Sequence, residues 1–133
     1  MARDAFMRCF AVALGGALGS VARYGLSLWG VSLGGRLPWG TLAANGGGCL
    51  AMGAVMYLVV ERSAMPESVR LLLAVGFLGG LTTFSTFSYE VLALARDGRH
   101  GQALLYLLLS AAVGIGGAGL GWLGASLLVR GPA

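Results

Sequence analysis

Long uncharged stretches alternate with short polar connections along this chain. Leu37–Val60, Leu71–Tyr89 and Gly101–Val129 carry no Asp, Glu, Lys or Arg. Each approaches or exceeds the roughly 20 mainly apolar residues that a helix needs to cross a bilayer. The first stretch is interrupted, because only Cys9–Ala22 is uncharged and a full span must run past Arg23 to about Trp29. The pattern predicts an all-α membrane protein with four transmembrane helices, at 6–29, 40–60, 69–96 and 103–129, in a single transmembrane domain over 1–133. The connections, Gly30–Trp39, Glu61–Ser68 and Asp97–Gln102, are too short for a soluble module. Function is therefore expected within the bilayer or with a partner chain. The N-terminal stretch has a second reading: Arg3 and Arg8, the apolar run and Ser20-Val21-Ala22 also fit a secretory signal peptide. The retained reading places Arg23 and Tyr24 near the far end of the first helix, where a long side chain snorkels to the interface or meets a buried partner.

Composition reinforces the membrane assignment. Hydrophobic residues make up 57% and charged residues 11% of the chain, against about 25% charged in soluble domains. A soluble monomer is close to excluded on that ground. The 24 glycines follow no collagen period, so they fit close packing between membrane helices. Net charge is +4 and all nine basic residues are Arg. They are strewn between apolar runs rather than clustered on one face, which speaks against nucleic acid as a partner. Cys9 and Cys49 lie within apolar stretches, where buried thiols are expected and neither a disulfide nor a metal site has support. Arg3, Arg8, Arg62, Arg70 and Arg130 flank one side of a four-span bundle, and Arg23, Arg36, Arg96 and Arg99 the other. The positive-inside rule then selects no orientation. Either the chain inserts one way for other reasons, or up and down copies pair as an antiparallel dimer.

Polar residues inside the spans supply the candidate chemistry. Thr41, Asn45 and Gly48/Cys49 share one face of the second helix. The Asn45 amide needs a partner in hydrocarbon, either another helix that it holds in place or an anion to which its NH2 donates. In the third span, Gly79-Gly80 precedes Thr82-Thr83, which predicts a helix broken mid-membrane. Irregular backbone at that depth survives where it lines a cavity or binds something, and freed carbonyls at the end of a half-helix favour a cation. Plain small-residue packing is the competing reading, and the hydroxyls of Thr83, Ser85, Thr86 and Ser88 favour a lined path. Phe84 and Phe87 sit three apart, as core or lipid-facing rings or as rings presenting their partly positive edges to a small anion. Thr83, Thr86 and Glu90 form a stripe beside them, with Glu90 placed near the span end. Tyr106 and Ser110 lie one turn apart on the fourth helix, followed by Gly114, Gly117 and Gly121. Gly15, Gly16 and Gly19 repeat the small-residue pattern on the first helix. His100 reads as a solvated loop residue. No nucleophile triad, zinc spacing or phosphate loop assembles, so no enzyme is expected.

Three segments, Gly19-Ser20-Val21-Ala22-Arg23-Tyr24, Gly40-Thr41-Leu42-Ala43-Ala44-Asn45 and Gly76-Phe77-Leu78-Gly79-Gly80-Leu81-Thr82-Thr83-Phe84-Ser85-Thr86-Phe87, together with the four spans, resemble the Fluc, or CrcB, family of fluoride channels over essentially the whole chain. The resemblance implies an antiparallel dual-topology homodimer with two fluoride pores in the bacterial inner membrane. It implies that Phe84 and Phe87 present ring edges to fluoride and that Asn45 is the pore amide. Tyr106 and Ser110 match a hydroxyl track, Ser85 and Thr86 fall within the pore motif, Thr41 and Glu90 match polar residues near a pore mouth, and Arg23 matches a vestibule arginine. The carbonyls of Gly79 and Thr82 from both subunits would hold one central sodium ion, a hard cation suited to oxygen ligands. The implied activity is passive export of cytoplasmic fluoride, which lowers its toxicity. The chain departs from the family pattern at Gly114, where a second hydroxyl is usual, and in its glycine-rich Gly46–Gly48. Two other functional classes fit the size: a four-helix exporter, which needs a midplane carboxylate that only Glu90 could supply, and an accessory subunit of a larger complex.

Overall fold

The computed structural model describes residues 1–34, 36–63 and 65–129, which are helical apart from short connections and one interruption. Arg130, counted above among the flanking arginines, lies outside the described residues. Helix α1 spans Ala2–Ser32 and α2 spans Trp39–Val60. The third segment is composite: α3 (Glu67–Arg70) leads into a π-helical stretch, Leu71–Leu78, then α4 (Gly79–Leu81) and α5 (Phe84–Arg96). Helix α6 spans His100–Val129. Four of these units, with Glu67–Arg96 taken as one, are long and apolar enough to cross a membrane. The chain is accordingly a multi-pass membrane protein.

Local sequence explains where the helices begin and stop. Pro38 and Pro66 stand immediately before α2 and α3, where a missing N–H sacrifices no helical bond. Gly98, at φ 74°, turns the chain between α5 and α6, a conformation that an L side chain adopts only under strain. Helix α6 begins at His100 itself, which is exposed. The residue expected in a loop thus opens a helix, because the connection is completed by Asp97–Arg99. Arg99 donates to Gln102 and to the Arg36 carbonyl, tying that corner to the loop before α2.

Between the helices, glycine lets backbones meet. A Cβ on Gly15 or Gly19 of α1 would run into the carbonyls of Leu72 or Phe77. On the other side of the bundle, Gly53 of α2 faces the Ala118 carbonyl and Gly121 of α6 faces the Leu50 carbonyl with equally little space. Such contacts substitute dispersion and close packing for the hydrophobic driving force that lipid does not provide. Two small cores result. Ala44, Leu78 and Leu81 pack with Phe77 and Met52 where α2 meets the third segment. Leu94, Ala103 and Tyr106 pack with Phe87 and Leu42 where α5 meets α6. Leu, Val and Phe side chains over the remaining circumference are exposed, as a lipid-facing surface requires.

Candidate functional site

Helical geometry stops at Leu81 and resumes at Phe84, with Thr82 (ψ 151°) and Thr83 (φ −150°, ψ 118°) both extended. Each backbone group that loses its helical partner at this interruption has to find another. Asn45 meets that requirement for Thr83: its Oδ1 accepts from Thr83 N–H at 2.7 Å, and its Nδ2 donates to Thr83 O at 3.0 Å. Thr83 Oγ1 caps α5 by accepting from Thr86 N–H at 3.3 Å, and it donates to Thr86 Oγ1 at 3.0 Å. Ser85 Oγ lies 3.4 Å from Thr83 Oγ1. Upstream, Leu78 O takes both Thr82 N–H, at 3.0 Å, and Thr82 Oγ1–H, at 2.9 Å. Arg23 Nε donates to Gly80 O at 3.1 Å, so the arginine on the first helix is engaged by the third segment. Thr82 Cγ2 fills the space that a side chain on Gly48 would need.

Beside the interruption lies a groove of about 540 Å³ between α2, α5 and α6. Asn45, Cys49, Phe84, Phe87, Ser110 and Gly114 contribute to its walls. The Phe84 and Phe87 ring centroids are 5.8 Å apart with planes inclined by 48°, and Phe87 lies 5.4 Å from the Tyr106 ring. Phe84 is 80% exposed, so one wall of the groove is open on the side of a single chain. Ser110 Oγ is buried and has no hydrogen-bond partner among the described residues. A hydroxyl left in that state costs free energy unless something from outside the chain satisfies it. Gly114 stands one turn beyond Ser110, and a Cβ there would make ordinary contact with Cys49 Sγ at 3.6 Å.

A second polar cluster lies toward one end of the same helices. Glu90 Oε1 accepts from Thr41 Oγ1 and Glu90 Oε2 from Tyr106 Oη, both at 2.7 Å. Thr41 is 4% exposed and Tyr106 is fully buried. Helix α5 continues six residues beyond Glu90 to Arg96, so this carboxylate is held inside the bundle by two hydroxyls rather than dangling at a helix end. It borders a cavity of about 330 Å³ formed with Ser27, Gly30, Pro38 and Thr41. The polar stripe of α2 therefore serves two places, with Thr41 bonded to α5 at Glu90 and Asn45 bonded at the interruption.

Sequence patterning brought Thr41, Asn45, Phe84, Phe87, Tyr106, Ser110 and Glu90 forward as candidates, and all seven lie along the α2–α5–α6 contact. Arg23 and Gly79 lie apart from the groove: Arg23 reaches the interruption from α1 at Gly80 O, and Gly79 is exposed at the start of α4. The sequence reading put Cys49 on the face of Asn45 but overlooked the capping role of Thr83. That role had a signal: a threonine placed immediately before an apolar-periodic helix, with a second polar residue three positions on.

Comparison with known proteins bears on the chain as a whole. The family model described as "CrcB-like protein, Camphor Resistance (CrcB)" matches residues 10–122. The chain is 50% identical over 123 residues to the fluoride-specific ion channel FluC of a strain of Thermus thermophilus, covering 91% of this chain and 96% of that one. It is 46% identical over 106 residues to the FluC of a Methylobacterium species, covering 80% and 86%. With the FluC of Geobacter sulfurreducens it shares 47% identity over 104 residues, covering 77% and 84%.

Proposed function

This chain belongs to the CrcB-like family, and from that premise we propose that it is a fluoride-selective ion channel through which cytoplasmic fluoride leaves a bacterial cell passively, lowering its toxicity. The observation that carries this reading is the groove whose walls include the Phe84–Phe87 pair and Ser110, a residue whose buried hydroxyl has no hydrogen-bond partner among the described residues. Fluoride shedding water needs several weak donors in succession rather than one strong site, since conduction requires exit as well as entry. Ser110 O–H has no acceptor among the described residues and is a candidate donor. Asn45 has a second amide hydrogen beyond the one given to Thr83 O. The ring edges of Phe84 and Phe87 add a weak positive field. Ser85, Thr86 and Tyr106 extend the run of hydroxyls toward Glu90 and Thr41, which mark one mouth of the path. Arg23 contributes positive charge beside the interruption, where it also secures the Gly80 carbonyl.

A groove open along one side cannot conduct alone, and the exposed Phe84 ring supports closure by a second, antiparallel copy of the chain. Two-fold pairing would give two pores and would bring the two interruptions together. There the carbonyls of Gly79 and Thr82 from each copy fit a structural sodium ion. The donor four residues beyond Gly79, Thr83 N–H, is turned to Asn45 instead of Gly79 O. Among the described residues no group of three or more His, Cys, Asp or Glu side chains converges, and the Thr82 and Thr83 hydroxyls are engaged with Leu78 O and Thr86 Oγ1, which favours backbone oxygens as the ligands. Bound there, the ion would supply fixed positive charge at the centre of the dimer.

Purified protein in liposomes, with fluoride followed by an ion-selective electrode beside a matched chloride run, tests the proposal. Fast fluoride loss without chloride loss is expected, and silence in both runs from a folded dimer would overturn it. Phe84→Ile removes the ring edge while retaining an apolar side chain, so it should cut fluoride flux sharply with dimer assembly unchanged. Undiminished flux would remove the ring-edge role.

A further inference from the structure

We infer that Asn45 is a positioning residue for the cation cradle, in addition to lining the anion path. This rests on the reading of the Gly79 and Thr82 carbonyls as sodium ligands. In a continuous helix the N–H of residue 83 donates to the carbonyl of residue 79. Here that N–H donates to Asn45 Oδ1 at 2.7 Å, while Asn45 Nδ2 returns a bond of 3.0 Å to Thr83 O. One side-chain amide thus stands in for a peptide group on both sides of Thr83. It satisfies the polar atoms of the extended residue and relieves the backbone of any need to re-form helix.

The surrounding carbonyls are assigned in turn. Leu78 O takes two donors from Thr82, Gly80 O takes Arg23 Nε, and Thr83 O takes Asn45. Gly79 O keeps no claim on its helical donor, and Gly79 is exposed. Asn45 Oδ1 therefore determines whether the Gly79 oxygen is available to a hard cation. Its amide nitrogen meanwhile retains a hydrogen for the groove that Asn45 lines. Two sites for ions of opposite charge share one side chain, each using a different end of the amide. Groups that orient ligands without touching the metal characteristically change affinity about 10–100-fold when removed.

Two substitutions separate the two ends. Asn45→Asp preserves an acceptor oxygen for Thr83 N–H but replaces the amide donor. Asn45→Leu removes both. The unfolding temperature of each full-length protein in detergent is measured across a titration of sodium chloride, with N-methyl-D-glucamine chloride keeping ionic strength constant, and fluoride flux is measured in liposomes. The wild type should be stabilised by sodium. Asn45→Asp should retain that response while fluoride flux falls. Asn45→Leu should raise the apparent sodium dissociation constant about 10–100-fold while still eluting as a dimer. An unchanged sodium response in Asn45→Leu would overturn the inference. So would its loss in Asn45→Asp, and that result decides the matter even if Asn45→Leu fails to fold. A wild-type protein indifferent to sodium would overturn the cation reading itself, a failure distinct from either of those.

Discussion

Glu90 accepts one hydrogen bond on each carboxylate oxygen, from Thr41 and from Tyr106, and both donors are almost fully enclosed. Bonds to a charged group exceed neutral ones in strength, and a buried partner left unsatisfied bears the whole desolvation penalty. Tyr106→Phe keeps the tilted ring beside Phe87 but removes the hydroxyl, so it should destabilise the folded protein by about 1.5–3 kcal/mol. Denaturation in mixed micelles measures this. Combined with Glu90→Gln, which removes the charge, the two losses should sum to less than their separate values, because the residues are in contact; strict additivity would show that the bond is unimportant. The residues of this cluster were legible in the sequence, since helical spacing alone puts Thr41 with Asn45 and Tyr106 with Ser110 on single faces. Their partners were not. Whether the Asn45 amide meets an anion or another helix depends on where α5 falls, and the structure commits its oxygen and one hydrogen to Thr83. Arg23 is the same case, because nothing in its neighbourhood in the chain announces the Gly80 carbonyl.

Among the elements, the close approach of α2 and α6 depends on particular glycines rather than on glycine content. A methyl on Gly121 would overlap the Leu50 carbonyl, and one on Gly53 the Ala118 carbonyl, whereas Gly116 and Gly119 have nothing within 4 Å. Gly121→Ala should therefore force the helices apart and destabilise the protein by at least the roughly 1–3 kcal/mol of ordinary overpacking. Gly116→Ala, on the same helix, should be neutral or stabilising by up to about 1 kcal/mol, as helix propensity dictates. Equal effects at the two positions, read from the same denaturation experiment, would show that the contact is compliant. The number of spans was evident from uncharged length because the bilayer imposes it. The small-residue faces of α1 and α6 were also evident, but their pairing was not. Many glycines on α6 are spaced alike, and tertiary placement alone decides which of them meet backbone. Thr82-Thr83 lies between these cases. The Gly-Gly-x-Thr-Thr string marked a weak point in the third segment, while the extended geometry of both threonines follows from Asn45 and the Thr83 cap, one long-range and one local.

At the scale of the whole molecule, the open groove and the arginine distribution bear on the same question. Phe84 is 80% exposed, so the proposed path needs a second copy to close it. An antiparallel pair in turn needs copies inserted in both directions. Among the described residues four flanking arginines on one side stand against four on the other and leave orientation unbiased, and the rule that counts them is sensitive to small changes close to the spans. Asp4 and Glu61 belong to the side shared by the N-terminus and the second connection, and neither lies in the groove. Asp4→Arg with Glu61→Arg should therefore fix that side in the cytoplasm. Ser32→Arg with Asp97→Arg, at the end of α1 and in the connection after α5, should fix the opposite orientation. Compartment-specific reporters fused to the C-terminus should give both signals for the wild type and one signal for each biased variant. Each variant expressed alone should lose most fluoride efflux from cells, because parallel copies cannot close one another's grooves. Co-expression of the two should restore it. A wild type giving one orientation, or a biased variant exporting fluoride at the wild-type rate, would refute antiparallel assembly while leaving the groove chemistry of the single chain open to the Phe84 test.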